Sequence, residues 1–151
     1  MPRKRQQAAK PYQRRPGSKS GFVQLFYDLL GSEAFHDLTP KQKLLYVYCA
    51  RESHGRAMAD HGGDERLFYM NRALRVECHG LYAEGDKRGF ERDMQALIEH
   101  GFVDCVQSNY KSRERNLYRL SARWNAWGQP SFSIPDEVMT THMRLERSKR
   151  G

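Results

Sequence analysis

The stretch from Gly85 to Arg123, GDKRGFERDMQALIEHGFVDCVQSNYKSRERNLYRLSAR, constrains the fold more than any other part of the chain. Asp86 is a short acceptor suited to the orphan amides of a first helical turn. Phe90, Met94, Leu97 and Ile98 follow at i, i+4, i+7 and i+8, one apolar stripe at helical period. Gly101 can take the left-handed conformation that ends a helix. These signals predict a helix over 86–100 whose opposite face carries Arg88, Arg92, Gln95 and Glu99. Two short runs of strand formers come next, over 102–106 and 116–120. The second places Leu117 and Arg119 on one face, Tyr118 and Leu120 on the other. The polar, basic segment 107–115 joins the two runs. Helix, glycine stop and an antiparallel hairpin with a basic tip are therefore expected in that order.

Charge is unevenly distributed around this unit. Residues 1–21 hold seven basic side chains and no acid, residues 22–106 hold ten basic against fourteen acidic, and residues 107–124 hold five against one. An acidic body with basic charge gathered on a tail and a hairpin suits a polyanion docking along one face. The simpler alternative is a solvated tail and a charged loop.

Taken in order, residues 1–20 mix Pro2, Pro11, Pro16 and Gly17 with Arg, Lys and Gln, and are expected to form a disordered basic arm. The apolar run 21–27 reads as a short strand entering a helical turn through Leu29 and Leu30, and Ser32 as the cap of a second turn reaching His36. Thr39-Pro40 is a helix start, an N-cap followed by proline at the first helical position. The helix it opens is apolar nearly all round, with Leu44, Val47, Tyr48 and Arg51 on one face, and ends at His54-Gly55. Residues 55–65 read as a Gly/Asp/Arg-rich loop. Leu67 to Met70 predict one short strand, and Asn71 caps a helix from Arg72 to His79 with Ala73, Leu74 and Cys78 inward. After the hairpin, Trp124 and Trp127 are placed to cover the core. A proline-containing link, 129–135, then leads to a candidate C-terminal helix from Asp136, striped by Val138, Met139, His142 and Leu145. That helix packs on the domain, pairs with a second subunit in a homodimer, or lies along phosphate. The division expected is a basic arm over 1–20, a folded domain over 21–128, and a linker with C-terminal helix over 129–151.

Segments of this order resemble the winged-helix proteins of plasmids, phages and integrative elements, of the replication-initiator and transcriptional-regulator type. The residues that carry the resemblance are Phe22-Val23-Gln24-Leu25, Leu29-Leu30-Gly31-Ser32, Leu38-Thr39-Pro40 through Leu45-Tyr46, and Leu97-Ile98-Glu99-His100-Gly101-Phe102-Val103. The match runs from about Gly21 to Trp124. It departs from the pattern in the 60–70 segment and in the long turn 80–85, and no second domain of the same kind is visible. The resemblance implies an α+β, mainly α, winged helix-turn-helix with a small antiparallel β-hairpin as the wing.

In such a fold the 86–100 helix enters the major groove. Lys87, Arg88 and Arg92 suit guanine edges or phosphate, and Gln95 suits adenine. Asn109, Tyr110, Lys111, Ser112, Arg113 and Arg115 suit phosphate or the minor groove, and Arg3, Lys4, Arg5, Arg14 and Arg15 of the arm add salt-dependent affinity. The expected partner is double-stranded DNA, and the expected role a transcriptional regulator or replication accessory of a mobile element. The alternative is an interaction module docking a replication or conjugation protein of the same element.

An enzyme is not expected: the chain has no phosphate-cradling glycine loop, no GxSxG and no HExxH. Asp60, His61, Asp64 and Glu65 surround Gly62-Gly63 with no second cluster to converge on. Three cysteines at wide spacing read as thiols in a reducing compartment. Cys78-His79 with His100 and Cys105 would be the zinc alternative, but no CxxC or HxxxH spacing accompanies them, so neither metal nor cofactor is expected. With no apolar run near ~18 residues and no apolar leader, a cytoplasmic location is expected.

Overall fold

The computed structural model of the protein describes residues 21–53, 55–108 and 116–150. The arm expected to be disordered and the hairpin tip, 109–115, lie outside those residues. The elements are α1 (Tyr27–Leu30), α2 (Glu33–His36), α3 (Pro40–Glu52), α4 (Arg56–Asp60), β1 (Leu67–Tyr69), a π-helical turn (Ala73–Cys78), α5 (Lys87–Glu99), β2 (Val103–Gln107), β3 (Leu117–Leu120), two 3-10 turns (Arg123–Ala126 and Asp136–Val138) and α6 (Thr141–Arg150). The strands form one antiparallel sheet in the order β1-β3-β2. The protein is thus α+β, with helix in excess of strand.

Local chemistry sets the helix starts. Ser32 Oγ accepts from Phe35 N at 3.1 Å and opens α2. Thr39 and Gln42 form a reciprocal capping box at α3, with Pro40 at its first position. Asp86 Oδ1 accepts from Gly89 N at 3.0 Å and opens α5. Gly101 ends α5 at φ +85°, and a Cβ there would stand 2.5 Å from Trp124 N, so both conformation and close approach require glycine.

The core lies between α3, α5 and the sheet. Leu45 and Cys49 of α3, Phe68 of β1, Met94, Leu97 and Ile98 of α5, and Phe102 and Val103 at the entry to β2 are fully buried. Trp124 stacks on Phe102 at 6.0 Å and Trp127 on His100 at 5.2 Å, so both tryptophans close over this core. Leu117 faces a small second cluster with Ala57 and Leu67, while Tyr118 faces the main core, in keeping with the alternation of β3. Opposite β3, Cys105 pairs with Tyr118 and Gln107 with Leu117, which leaves Val106 as the extra residue of a bulge.

Several elements differ from expectation for reasons of packing. Residues 21–26 are irregular rather than a strand. On α3 the inward residues are Leu45, Tyr46 and Cys49, and Leu44 is 46% exposed, so the buried face is rotated from the Leu44–Val47–Tyr48–Arg51 stripe. Helix α3 also stops at Glu52. The expected 55–65 loop contains α4, held by the burial of Ala57 against β1 and β3. Asn71 does accept from Leu74 N at 2.9 Å, but the helix after it is π-type, and Ala73 and Cys78 are exposed rather than inward. Its wider turn brings His79 onto Tyr48 (4.4 Å between ring centres) and Nε2 within 2.8 Å of Glu52. Helix α6 begins at Thr141 instead of Asp136. The buried residues of the C-terminal segment are accordingly Val138, Met139 and Met143, with His142 and Leu145 exposed.

A buried carboxylate joins the sheet to the chain beyond β3. Asp104, 5% exposed, accepts from Arg119 Nη2 at 3.1 Å and Arg123 Nε at 2.8 Å. Arg123 also donates to the carbonyls of Ile98, Val103 and Ser133 at 3.0, 3.1 and 3.2 Å. Replacing Arg123 with alanine leaves a buried carboxylate short of one partner. The loss should approach the lower end of the about 3–5 kcal/mol seen for broken buried pairs. Arg66→Ala, which removes an exposed pair with Asp64, should cost about 0.5 kcal/mol or less. Chemical denaturation of both variants checks the contrast, and equal costs would refute it.

Burial pushes the Tyr46 hydroxyl up to about 12. It also raises Tyr82 and Tyr118, with donation to Asp93 adding to the rise at Tyr82. Unfolded tyrosine ionises near pH 10, so above about that pH the unfolded chain releases protons the folded chain retains. Stability is therefore fully present below about pH 10 and falls as pH rises toward the folded values. Of eight tyrosines, these three should ionise only as helical circular dichroism is lost. Complete phenolate absorbance in a still-folded protein would contradict their burial.

Candidate nucleic-acid interface

The placement of α5 begins with its apolar stripe. Phe90, Met94, Leu97 and Ile98 face α3 and β2, which turns the opposite side of the helix outward. Asp93 lies between the two faces and is only 3% exposed. Gln42 Nε2 donates to its Oδ1 at 3.2 Å, and the Tyr82 hydroxyl donates to its Oδ2 at 2.7 Å. Gln42 Oε1 meanwhile accepts from Thr39 N at 3.0 Å. One amide thus couples the start of α3 to the middle of α5, and Tyr82 ties in the segment that leads to α5.

The first two turns of α5 are open. Lys87, Arg88, Glu91 and Arg92 are exposed. Lys87 Nζ lies 3.8 Å from Glu91 and Arg92 Nε lies 3.6 Å from Asp93, while Arg88 has no hydrogen bond or ion pair among the described residues. Gln95 is different. It is half-buried, its amide donates to Glu99 at 2.8 Å, and with Glu99 it lines a cleft of about 580 Å³ against α6. The four candidate residues of the helix therefore divide into three exposed cations on its first two turns and one amide turned toward α6.

Two cations that sequence reasoning did not single out stand beside the start of α5. Lys41 Nζ lies 4.3 Å from the centre of the Tyr82 ring, and the Arg75 guanidinium lies 4.4 Å from that of Phe90. Tyr82 and Phe90 meet edge to face at 5.5 Å, so the two cations flank one aromatic pair. Burial holds the Arg75 guanidinium below the usual arginine value. Neither residue belongs to a motif. The only signal in the sequence was a basic residue in the first turn of α3 and another in the π-helical turn.

The hairpin charge also needs revision. Of the five basic residues in 107–124, Arg119 and Arg123 are paired with the buried Asp104. Lys111, Arg113 and Arg115 remain, and with Asn109, Tyr110 and Ser112 they lie outside the described residues. So do Arg3, Lys4, Arg5, Arg14 and Arg15.

The histidines near the zinc alternative have other partners. His100 Nδ1 lies 2.7 Å from Ala96 O and Nε2 2.7 Å from Asp37, and His79 faces Glu52. No group of three or more His, Cys, Asp or Glu side chains among the described residues could hold a metal ion. No helix among them is long and apolar enough to cross a membrane. Compared with known proteins, the chain matches no family model, no curated protein and no solved structure.

Tyr82→Phe removes one of the two close hydrogen-bond donors to a buried carboxylate while keeping the ring against Phe90. It should lower stability by about 1–3 kcal/mol, the cost of leaving such a group under-satisfied. Arg88→Ala, at an exposed position, should change stability by about 0.5 kcal/mol or less. Denaturant midpoints for the two variants give the comparison. A Tyr82→Phe midpoint equal to wild type would remove Asp93 as an anchor of α5.

Proposed function

We propose that the chain is a winged-helix protein that binds double-stranded DNA, a transcriptional regulator or replication accessory of a mobile genetic element. The observation that carries this reading is the exposed Lys87–Arg88–Arg92 surface on the first two turns of α5, the helix that runs directly into the β2–β3 hairpin. The order α3, β1, π-helical turn, α5, hairpin, with the sheet arranged β1-β3-β2, supports it further. In this arrangement α5 is the recognition helix, and its N-terminal half meets base edges. Lys111, Arg113 and Arg115, which lie outside the described residues, are assigned to phosphate or the minor groove. The resemblance over residues 21–124 is what supports a mobile-element role.

Phe22, Phe26 and Tyr27 favour a second reading. They are 83%, 63% and 91% exposed and lie close together in sequence at the start of the folded body. A winged-helix module that docks a replication or conjugation protein would use such a surface.

Selection from random duplex DNA at about 0.15 M salt tests the main reading. A defined motif should be enriched. Arg92→Ala should relax preference at one base position by about 1–3 kcal/mol, and alanine at Lys111, Arg113 and Arg115 together should weaken binding to all duplexes alike. If nothing is enriched and no duplex binds in a salt-dependent way, the DNA reading is wrong and the docking module takes its place.

A further inference from the structure

Helix α6 is fixed to the body rather than appended to it. Val138, Met139 and Met143 are buried in the main core, and Thr141 N donates to Ser108 Oγ at 3.0 Å, at the point where the hairpin leaves β2. The Arg144 charge acts on the Cys105 thiol of β2, opposing the burial that pushes that thiol up to about 11. From there α6 runs beside the second half of α5. Gln95 and Glu99 form one wall of the intervening cleft, and His142, Met143, Glu146, Arg147 and Arg150 the other. Because Gln95 continues the stripe of Arg88 and Arg92, α6 borders the same face of α5 that presents those cations.

The exposed surface of α6 is basic. Arg144 and Arg150 are exposed, Arg144 outside the cleft and Arg150 on its wall, and neither is in an ion pair among the described residues. Arg147 pairs with Asp136 at 3.0 Å and Lys149 approaches Glu146 at 4.0 Å, both at exposed positions where such pairs contribute little and exchange readily. The acids of the cleft, Glu99 and Glu146, lie between the helices and leave Arg144 outside.

We propose that α6 is a second duplex-contacting element, and that Arg144 and Arg150 grip the phosphate backbone bordering the groove that α5 enters. The inference rests on the DNA reading above and adds to it where the rest of the contact is made. A major groove about 12 Å wide admits one helix. A neighbouring helix about 10 Å or more away is therefore over the bordering strand, not in the groove. Only phosphate is presented there, and flexible arginines on a fixed helix suit it. The same geometry confines base reading to Lys87, Arg88 and Arg92, since Gln95 and Glu99 face the cleft.

The test compares the salt dependence of mixed-sequence duplex binding by full-length wild type, Arg144→Ala/Arg150→Ala, and Arg56→Ala/Arg66→Ala. The last pair removes two cations from α4 and the entry to β1, at the sheet edge farthest from β2, and controls for net charge. Each phosphate contact contributes about 0.9 to the slope of log affinity against log salt, so the α6 variant should have a slope shallower by about 1.8. The control should keep the wild-type slope, and melting curves should show all three proteins folded. An unchanged slope in the α6 variant, with the wild type still binding and Arg88→Ala/Arg92→Ala weakened, overturns this inference and leaves the DNA reading in place. Equal changes in both double variants overturn it too, because charge in general would then be responsible. If the wild type shows no salt-dependent duplex binding, the DNA reading and this inference fail together.

Discussion

The fold depends on how the charge of Asp104 is compensated inside the molecule. A carboxylate so deeply buried is costly unless it is paired and fully hydrogen-bonded. Arg119 comes from the neighbouring strand, opposite Asp104 in the sheet, and Arg123 from the turn beyond it. Arg123 does more than neutralise. The guanidinium is a rigid fork of donors, and here it also reaches the carbonyls of Ile98, Val103 and Ser133. The end of α5, the start of β2 and the return of the C-terminal segment are thereby referred to one planar group. Gly101 makes this possible, since only a residue without a Cβ lets the α5–β2 turn approach Trp124 so closely. The outward angle of α5 follows from that closure together with the Gln42–Asp93–Tyr82 bonds at its middle.

The parts of this arrangement that were legible in the sequence are those decided within a few residues. The caps at Ser32, Thr39 and Asp86 were readable because a short polar side chain and the amides it serves are neighbours. The stop at Gly101 and the stripe from Phe90 to Ile98 were readable for the same reason, as was the alternation of Leu117 and Tyr118. The features that escaped were decided by distant partners. Helix α4 depends on one buried alanine among glycines, a signal too weak against local propensity. The π-helical turn is tied to α3 through the contacts of His79 with Tyr48 and Glu52, neither of them near it in sequence. The inward face of α6 shifted to Met143 because the helix starts five residues after Asp136. A charge count along 107–124 includes Arg119 and Arg123 as available cations, yet both face an acid fifteen or more residues upstream. Gln95 was placed on the correct face, but that face is shared with α6 at its far end.

These displacements sharpen the electrostatic argument instead of weakening it. The cations of this acidic body differ in what they can do. Some, such as Arg119 and Arg123, are locked to a buried acid, and some, such as Arg66, sit in exposed pairs. Others are exposed with at most a loose neighbour. Among the described residues that last class includes Lys41 of α3 and Arg56 of α4 and, on the two helices that flank one cleft, Lys87, Arg88 and Arg92 of α5 and Arg144 and Arg150 of α6. Arg88 and Arg92 stand four residues apart on one exposed helix face, where like charges repel and are unfavourable on their own. Such clustering is tolerated when an opposing polyanion offsets the repulsion. The burial of Met143 in α6 and of Met139 just before it fixes that helix through its apolar side and holds its arginines where they are, which is the premise of the phosphate contact proposed for them.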